Sequence, residues 1–251
     1  MRVCWAAGAA ALCSAAISGP ALAVIGGREA PEAAASSVMV LSSNGGVCTG
    51  IVVARDVVLT AAHCVAARAE HRVHFRDEAG APVLVELAGR AAHPGYDAGA
   101  VAGRRRSIDL ALLRTASLLP PRFVVAPLSS AMPRAGETLA LSGYGAARAG
   151  DARSAGTFRT VVLPVVEPYG QSRILVWLES SGLKTAPKAG ACQGDSGGPI
   201  GPEGGSSVLA VSAWIGGACG GVSQGVLLGP QRDWIDRTLA GWGSSAAWAI
   251  P

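Results

Sequence analysis

The sequence predicts an all-β, antiparallel chain that ends in one helix. Short β-branched and apolar segments recur along it, separated by Gly, Pro and Ser, a spacing that favours antiparallel strands over alternating strands and helices. Only after Pro230 does the pattern change. There Trp234, Ile235, Leu239 and Trp242 fall at helical intervals within QRDWIDRTLAGW, which predicts a docked C-terminal helix. In chain order the candidate strands lie in SVMVLSS (37–43), GIVVARDVVLTA (50–61), PVLVELAG (82–89), DLALLR (109–114), ETLALSGYG (137–145), RTVVLPVV (159–166), RILVWLE (173–179), SVLAVSAWI (207–215) and GVLLG (225–229). The stretch from Ala116 to Ser130, with Pro120, Pro121 and Pro127, is the best connection between two halves.

Ahead of the strands, residues 1–23 read as an export signal. Arg2 supplies a charge, residues 3–18 form an Ala-rich apolar run, and Ala21-Leu22-Ala23 is a small-x-small cleavage site. The run is only weakly apolar and meets that site directly, which disfavours a retained membrane anchor. The mature chain is expected to start at Val24 and to be secreted or periplasmic, free of the membrane. From Val24 onward there is enough chain for one large all-β unit or two small barrels.

Cys4 and Cys13 leave with the signal. The remaining Cys48, Cys64, Cys192 and Cys219 permit three pairings, and an even count in an exported chain fits an oxidising compartment. These cysteines have no short paired spacing with histidines, and no compact acidic run offers a calcium loop, so neither metal nor cofactor is expected. The net charge of +4 is too small to argue for a nucleic-acid partner. Arg104-Arg105-Arg106 reads as an exposed loop.

The chemistry concentrates in CQGDSGGP, residues 192–199. A plain turn needs one or two glycines and has no use for an acid beside a serine, so Ser196 is a candidate nucleophile. A serine hydroxyl requires a base, a group orienting that base, and donors for the oxyanion. His63 in TAAHC and Asp109 in SIDLALL supply the first two. A carboxylate among the apolar residues of that strand is costly unless hydrogen-bonded, and an imidazole is its natural partner. The glycines around Ser196 allow the N–H groups of Gly194 and Ser196 to point at one spot.

With TAAHC, D-L-A-L-L and G-D-S-G-G-P in this order, the chain resembles the trypsin/chymotrypsin family of serine proteases from Val24 to its C-terminal segment. The resemblance implies two six-stranded antiparallel β-barrels, residues 24–122 carrying His63 and Asp109, and residues 123–251 carrying Ser196 and the C-terminal helix. It implies the disulfides Cys48–Cys64 and Cys192–Cys219. The expected activity is a monomeric endopeptidase that hydrolyses peptide or protein substrates through an acyl-enzyme. A catalytically idle homologue used as a binding module is the rival. An esterase is disfavoured because histidine precedes serine here.

The resemblance also makes Val24-Ile25-Gly26-Gly27 a mature N-terminus whose α-amino group pairs with Asp195 and fixes the oxyanion turn. Signal cleavage abuts Val24, so export and activation become one cut. For the substrate pocket, Gly190 stands where trypsin-like members carry an Asp, which removes the charge that selects Arg or Lys. VSAWIGGACGG departs from the family's S-W-G. Anchored on Trp214, Ile215 narrows the pocket, whereas anchored on Cys219, Gly216 keeps it open. Gly225 resembles the glycine of the opposite wall. The expected preference is for small or medium apolar side chains.

Overall fold

The computed structural model describes residues 24–65, 68–100, 102–103, 105–180 and 188–249. The proposed signal, with Cys4 and Cys13, and Arg104 lie outside that set. The strands are β1 (Arg28–Glu29), β2 (Ser37–Ser42), β3 (Val47–Ala54), β4 (Val57–Thr60), β5 (His71–Arg76), β6 (Pro82–Ala92), β7 (Ala111–Thr115), β8 (Thr138–Gly143), β9 (Arg159–Val166), β10 (Leu175–Leu178), β11 (Pro199–Pro202), β12 (Ala210–Ile215) and β13 (Ser223–Leu227).

Every strand pairing is antiparallel. The first barrel closes in the order β2-β3-β4-β7-β6-β5 and back to β2. The second runs β8-β9-β10-β13-β12-β11 and closes through β11 on β8, with the two-residue β1 added beside β10 along β9. Closure pairs the edge of each sheet, and the apolar side chains turned inward become two cores. Val38, Val52, Val58, Val73 and Leu113 fill the first, and Leu139, Leu141, Leu163, Ile200 and Leu227 the second.

Three strands escape a reading by apolar runs. β5 alternates His71, Arg72, His74 and Arg76 with Val73 and Phe75, so its polar half masks the period. β11 contains Pro199, Gly201 and Pro202, residues that argue against a strand, and its ladder to β12 is only two residues long. β1 exists only through its pairing with β9.

A further apolar cluster joins the barrels. Ile51, Leu59 and Leu112 of the first meet Leu128, Val211 and Val226 of the second, together with Ile235 and Leu239 of helix α1 (Arg232–Gly241). Leu128 extends the seam by bridging Val208 and Trp248. The seam fixes one barrel against the other, and the cleft carrying the site opens along it. Leu239→Ala, which empties a fully buried position in the seam, is expected to lower unfolding free energy by about 2–5 kcal/mol in urea titration. A loss near zero would show that the helix is not part of the core.

Candidate active site

The first barrel presents His63 on a single 3₁₀ turn (Ala62–Cys64) leaving β4, and the Cys48–Cys64 disulfide ties that turn to β3. Asp109 stands just before β7, next to the fully buried Leu110. Its two carboxylate oxygens take different partners on the same residue. Oδ1 accepts from the His63 backbone N–H at 2.9 Å, and Oδ2 lies 2.6 Å from His63 Nδ1. Two attachments fix the ring plane, and donation by Nδ1–H leaves Nε2 as the acceptor of the neutral imidazole.

The second barrel presents Ser196 at the end of the turn preceding β11. Cys64 Sγ lies 3.7 Å from His63 Nε2 and 3.8 Å from the Ser196 carbonyl oxygen, so one sulfur touches both residues. The hydrogen bonds among the described residues include none from Ser196 Oγ to His63 Nε2. Such bonds commonly tighten only when substrate binds.

The amides of this turn divide into two sets. Asp195 donates to the Cys192 carbonyl, Gly197 to that of Ser212, and Gly198 to that of Asp195. The N–H groups of Gly194 and Ser196 have no acceptor among the described residues. Gly194 has φ +96°, and a Cβ there would lie 2.8 Å from Gly145 Cα, so only glycine fits.

Thr49, which the sequence analysis does not single out, joins the two barrels at this turn. It is fully buried on β3 beside Cys48. Its N–H donates to the Ser196 carbonyl at 2.8 Å and its hydroxyl to the Gly194 carbonyl at 2.8 Å. The same hydroxyl accepts from Tyr144 N–H at 3.0 Å, while the Thr49 carbonyl accepts from the Thr60 hydroxyl at 2.7 Å. A lone threonine in an apolar strand is the only trace this leaves in the sequence.

Asp195 is fully buried, and burial raises its pKa to about 7 against the pull of N–H donors from Cys192 and Gly145. No Lys, Arg or His side chain pairs with it among the described residues. Val24 is fully buried in the second core, which also contains Ala191, and the Ile25 carbonyl accepts from Gly190 N–H at 3.0 Å. The first described residues therefore pack beside the turn. Val24 holds φ 50°, a left-handed conformation that a β-branched residue rarely adopts.

The pocket residues separate. Trp214 lines a groove together with His63 and Asp109, which favours the alignment anchored on that tryptophan. Ile215 pairs across β12–β13 with Ser223, and Gly216 N–H donates to the Val222 carbonyl at 2.7 Å. Gly225 does not face Ile215. It pairs with Ser212 and Val176, and a Cβ there would lie 2.6 Å from Ile200 Cδ1, inside the second core. The β-bulge between Ser212 and Trp214 shifts the register, and the residue opposite Ile215 is Ser223. The buried Ser223 hydroxyl accepts from Ala191 N–H at 2.9 Å, and a Cβ at Gly190 would stand 2.9 Å from that oxygen. The Cys192–Cys219 disulfide holds this region. Cys48, Cys64 and His63 lie close enough to share an ion, but both sulfurs are committed to the disulfide bond.

The chain belongs to the trypsin family, whose sequence profile matches residues 24–235. It is accordingly a trypsin-like serine endopeptidase, a hydrolase of peptide or protein substrates. Trypsin epsilon of Drosophila erecta is 29% identical over 208 residues, covering 76% of this chain and 77% of that relative. Kallikrein-8 of Mus musculus is 24% identical over 204 residues, with 77% of each chain covered. Neuropsin, a serine protease expressed in the limbic system of mouse brain, superposes with a TM-score of 0.71 at 22% identity, covering 86% of this chain and 99% of that one. A mutant of human heparin binding protein gives a TM-score of 0.72 at 24% identity, covering 89% and 100%. Both structural likenesses bear on the fold alone.

Thr49→Val keeps the shape and removes the hydroxyl, leaving the buried Gly194 carbonyl and Tyr144 N–H without that partner. It is expected to cost about 1–3 kcal/mol in urea unfolding, whereas Thr49→Ser should cost clearly less. A negligible loss in Thr49→Val beside a larger one in Thr49→Ser would mean that the methyl group and not the hydroxyl is what the junction needs.

Proposed function

We propose that His63, Asp109 and Ser196 act as one proton-transfer line in acyl transfer. The observation that carries this is the two-point grip of Asp109 on His63 beside a turn whose Gly194 and Ser196 N–H groups lack acceptors. His63 Nε2 takes the Ser196 proton as the oxygen attacks the carbonyl carbon. Asp109 holds the ring and balances the imidazolium, and Gly194 and Ser196 N–H groups receive the oxyanion. His63 then protonates the leaving amine, and water, deprotonated by the same imidazole, releases the acyl group and regenerates the Ser196 hydroxyl.

The pocket reading favours small or medium apolar side chains before the scissile bond. Gly190 contributes no charge to select Arg or Lys, and the Ile215 side chain narrows the wall. The enzyme is proposed to be secreted or periplasmic and monomeric. Among the described residues, no helix is long and apolar enough to cross a membrane.

The N-terminal reading follows from the same turn. A free α-ammonium at Val24 would supply the counter-charge that buried Asp195 lacks among the described side chains, and a cut after Ala23 would relieve the left-handed Val24 backbone. Signal removal would then create the active enzyme directly.

Two experiments test these roles. Fluorophosphonate should label the wild-type protein at Ser196 and leave Ser196→Ala unlabelled and inactive. Peptide profiling should show cleavage after Ala, Val or Leu. An unlabelled wild type would indicate an idle homologue, and a preference for Arg would overturn the pocket reading.

A third experiment compares Ser196→Ala chains beginning at Val24 and at Ala23. In the extended chain, a carboxyl whose folded pKa is raised gives stability that is greatest below its unfolded value and falls as pH climbs towards about 7. The chain beginning at Val24 should escape that fall, because its ammonium favours the carboxylate, and should lose the benefit only at alkaline pH as the amine deprotonates. Superimposable thermal-stability profiles from pH 4 to 8 would contradict the pairing.

A further inference from the structure

We infer that Arg106 makes the groove beside His63 a subsite for an acidic side chain lying upstream of the scissile bond. This rests on the proposed catalytic roles and adds a substrate class to them. The groove has a volume of about 710 Å³, and Tyr96, Tyr169, Trp214, His63, Asp109 and Arg106 are among its walls. It adjoins the proposed pocket, because Trp214 immediately precedes Ile215 on β12 and Gln224, also on the wall, immediately follows Ser223. Substrate residues continuing from the Ile215–Ser223 pocket along this strand edge enter the groove.

Its charges are unequal in availability. Asp97 is taken by Arg105, whose Nε and Nη2 donate to Asp97 Oδ2 at 2.9 and 2.6 Å. Asp97 Oδ1 accepts from Gly99 N–H at 2.8 Å, and the Arg105 pairing holds the carboxyl below the usual carboxylate range. Asp109 is taken by His63. Arg106 is exposed and has no hydrogen-bond or ion-pair partner among the described residues, and the residues outside that set include no Asp or Glu. One guanidinium is thus left to face an incoming peptide.

The loop anchors the backbone on either side of Arg106 without engaging its side chain. Ser107 Oγ accepts from Asp97 N–H at 2.9 Å, Ile108 N–H donates to the Gly95 carbonyl at 3.0 Å, and Arg105 N–H donates to the Ala100 carbonyl at 2.8 Å. Arg106 therefore sits between two anchored neighbours, with its backbone set and its side chain available. A planar guanidinium with five N–H donors suits a carboxylate and repels Lys or Arg. Because Arg106 is exposed, the pair it forms with an incoming carboxylate is a solvent-screened one and weakens as salt rises.

The test uses the mature enzyme and peptides that share one apolar residue before the scissile bond and carry Glu, Gln or Lys at each of the second to fourth positions upstream. At one or more of these positions Glu should exceed Gln in kcat/KM by about threefold to tenfold at low salt, with Lys lowest and the spread narrowing as salt rises. Arg106→Ala should bring the Glu/Gln ratio to about one, and Arg106→Glu should favour Lys. A ratio near one in the wild type, or a ratio unchanged in both variants, overturns the subsite. An electrostatic effect of Arg106 on the His63–Asp109 pair alone would scale all peptides equally, and that outcome also overturns it. Failure of the catalytic reading looks different: Ser196 would then resist fluorophosphonate and no peptide would turn over.

Discussion

The site exists only where two separately closed barrels meet, and the tightest tie at that meeting is Thr49. Its backbone is a rung of β3 in the first barrel, yet its N–H and hydroxyl bind the carbonyls of Ser196 and Gly194 in the second. A shift along the apolar seam that broke this pairing would also carry the Ser196 turn away from His63. Each of these bonds contributes on the order of 1 kcal/mol, and their buried location makes losing one more costly than gaining it was worth. The seam supplies the cohesion, and the threonine supplies the register.

Electrostatics on the two sides of the cleft are handled differently. Asp109 is partly exposed and bonded twice to His63, so its charge has a partner on its own barrel. Asp195 is sealed in the second barrel with only backbone N–H donors beside it among the described residues, and burial acts strongly on it. A buried carboxylate in that position is poised to respond to any cation brought alongside. The Val24–Gly27 segment is already docked in that neighbourhood, with the Ile25 carbonyl bonded to Gly190. The same turn thus couples the Val24–Gly27 segment to the amides of Gly194 and Ser196.

Much of this was legible in the sequence, for reasons that differ between residues. Strands such as β9 and β12 announce themselves because most of their residues are β-branched or apolar. His63, Asp109 and Ser196 stand out because their chemistry needs particular residue types within glycine-rich or apolar surroundings. Gly225 misled, because a glycine in a strand signals a close approach without saying on which side. Here it pairs with Ser212 ahead of the bulge and faces Ile200 in the core, while beyond the bulge Ser223 lies opposite Ile215. Thr49 was silent, since its importance lies in partners 145 residues away in sequence, and β11 was hidden behind its prolines. Long-range pairing, more than local pattern, is what sequence reading lacked.

The most direct test of the account is a crystal structure of the fluorophosphonate adduct. The account predicts a covalent bond at Ser196 Oγ, with one phosphonyl oxygen within hydrogen-bond reach of both Gly194 N–H and Ser196 N–H. His63 Nε2 should approach the bonded oxygen while Nδ1 keeps its contact with Asp109. An adduct whose phosphonyl oxygen points away from those two amides, or a His63 ring that remains out of reach of the bonded oxygen, would contradict it.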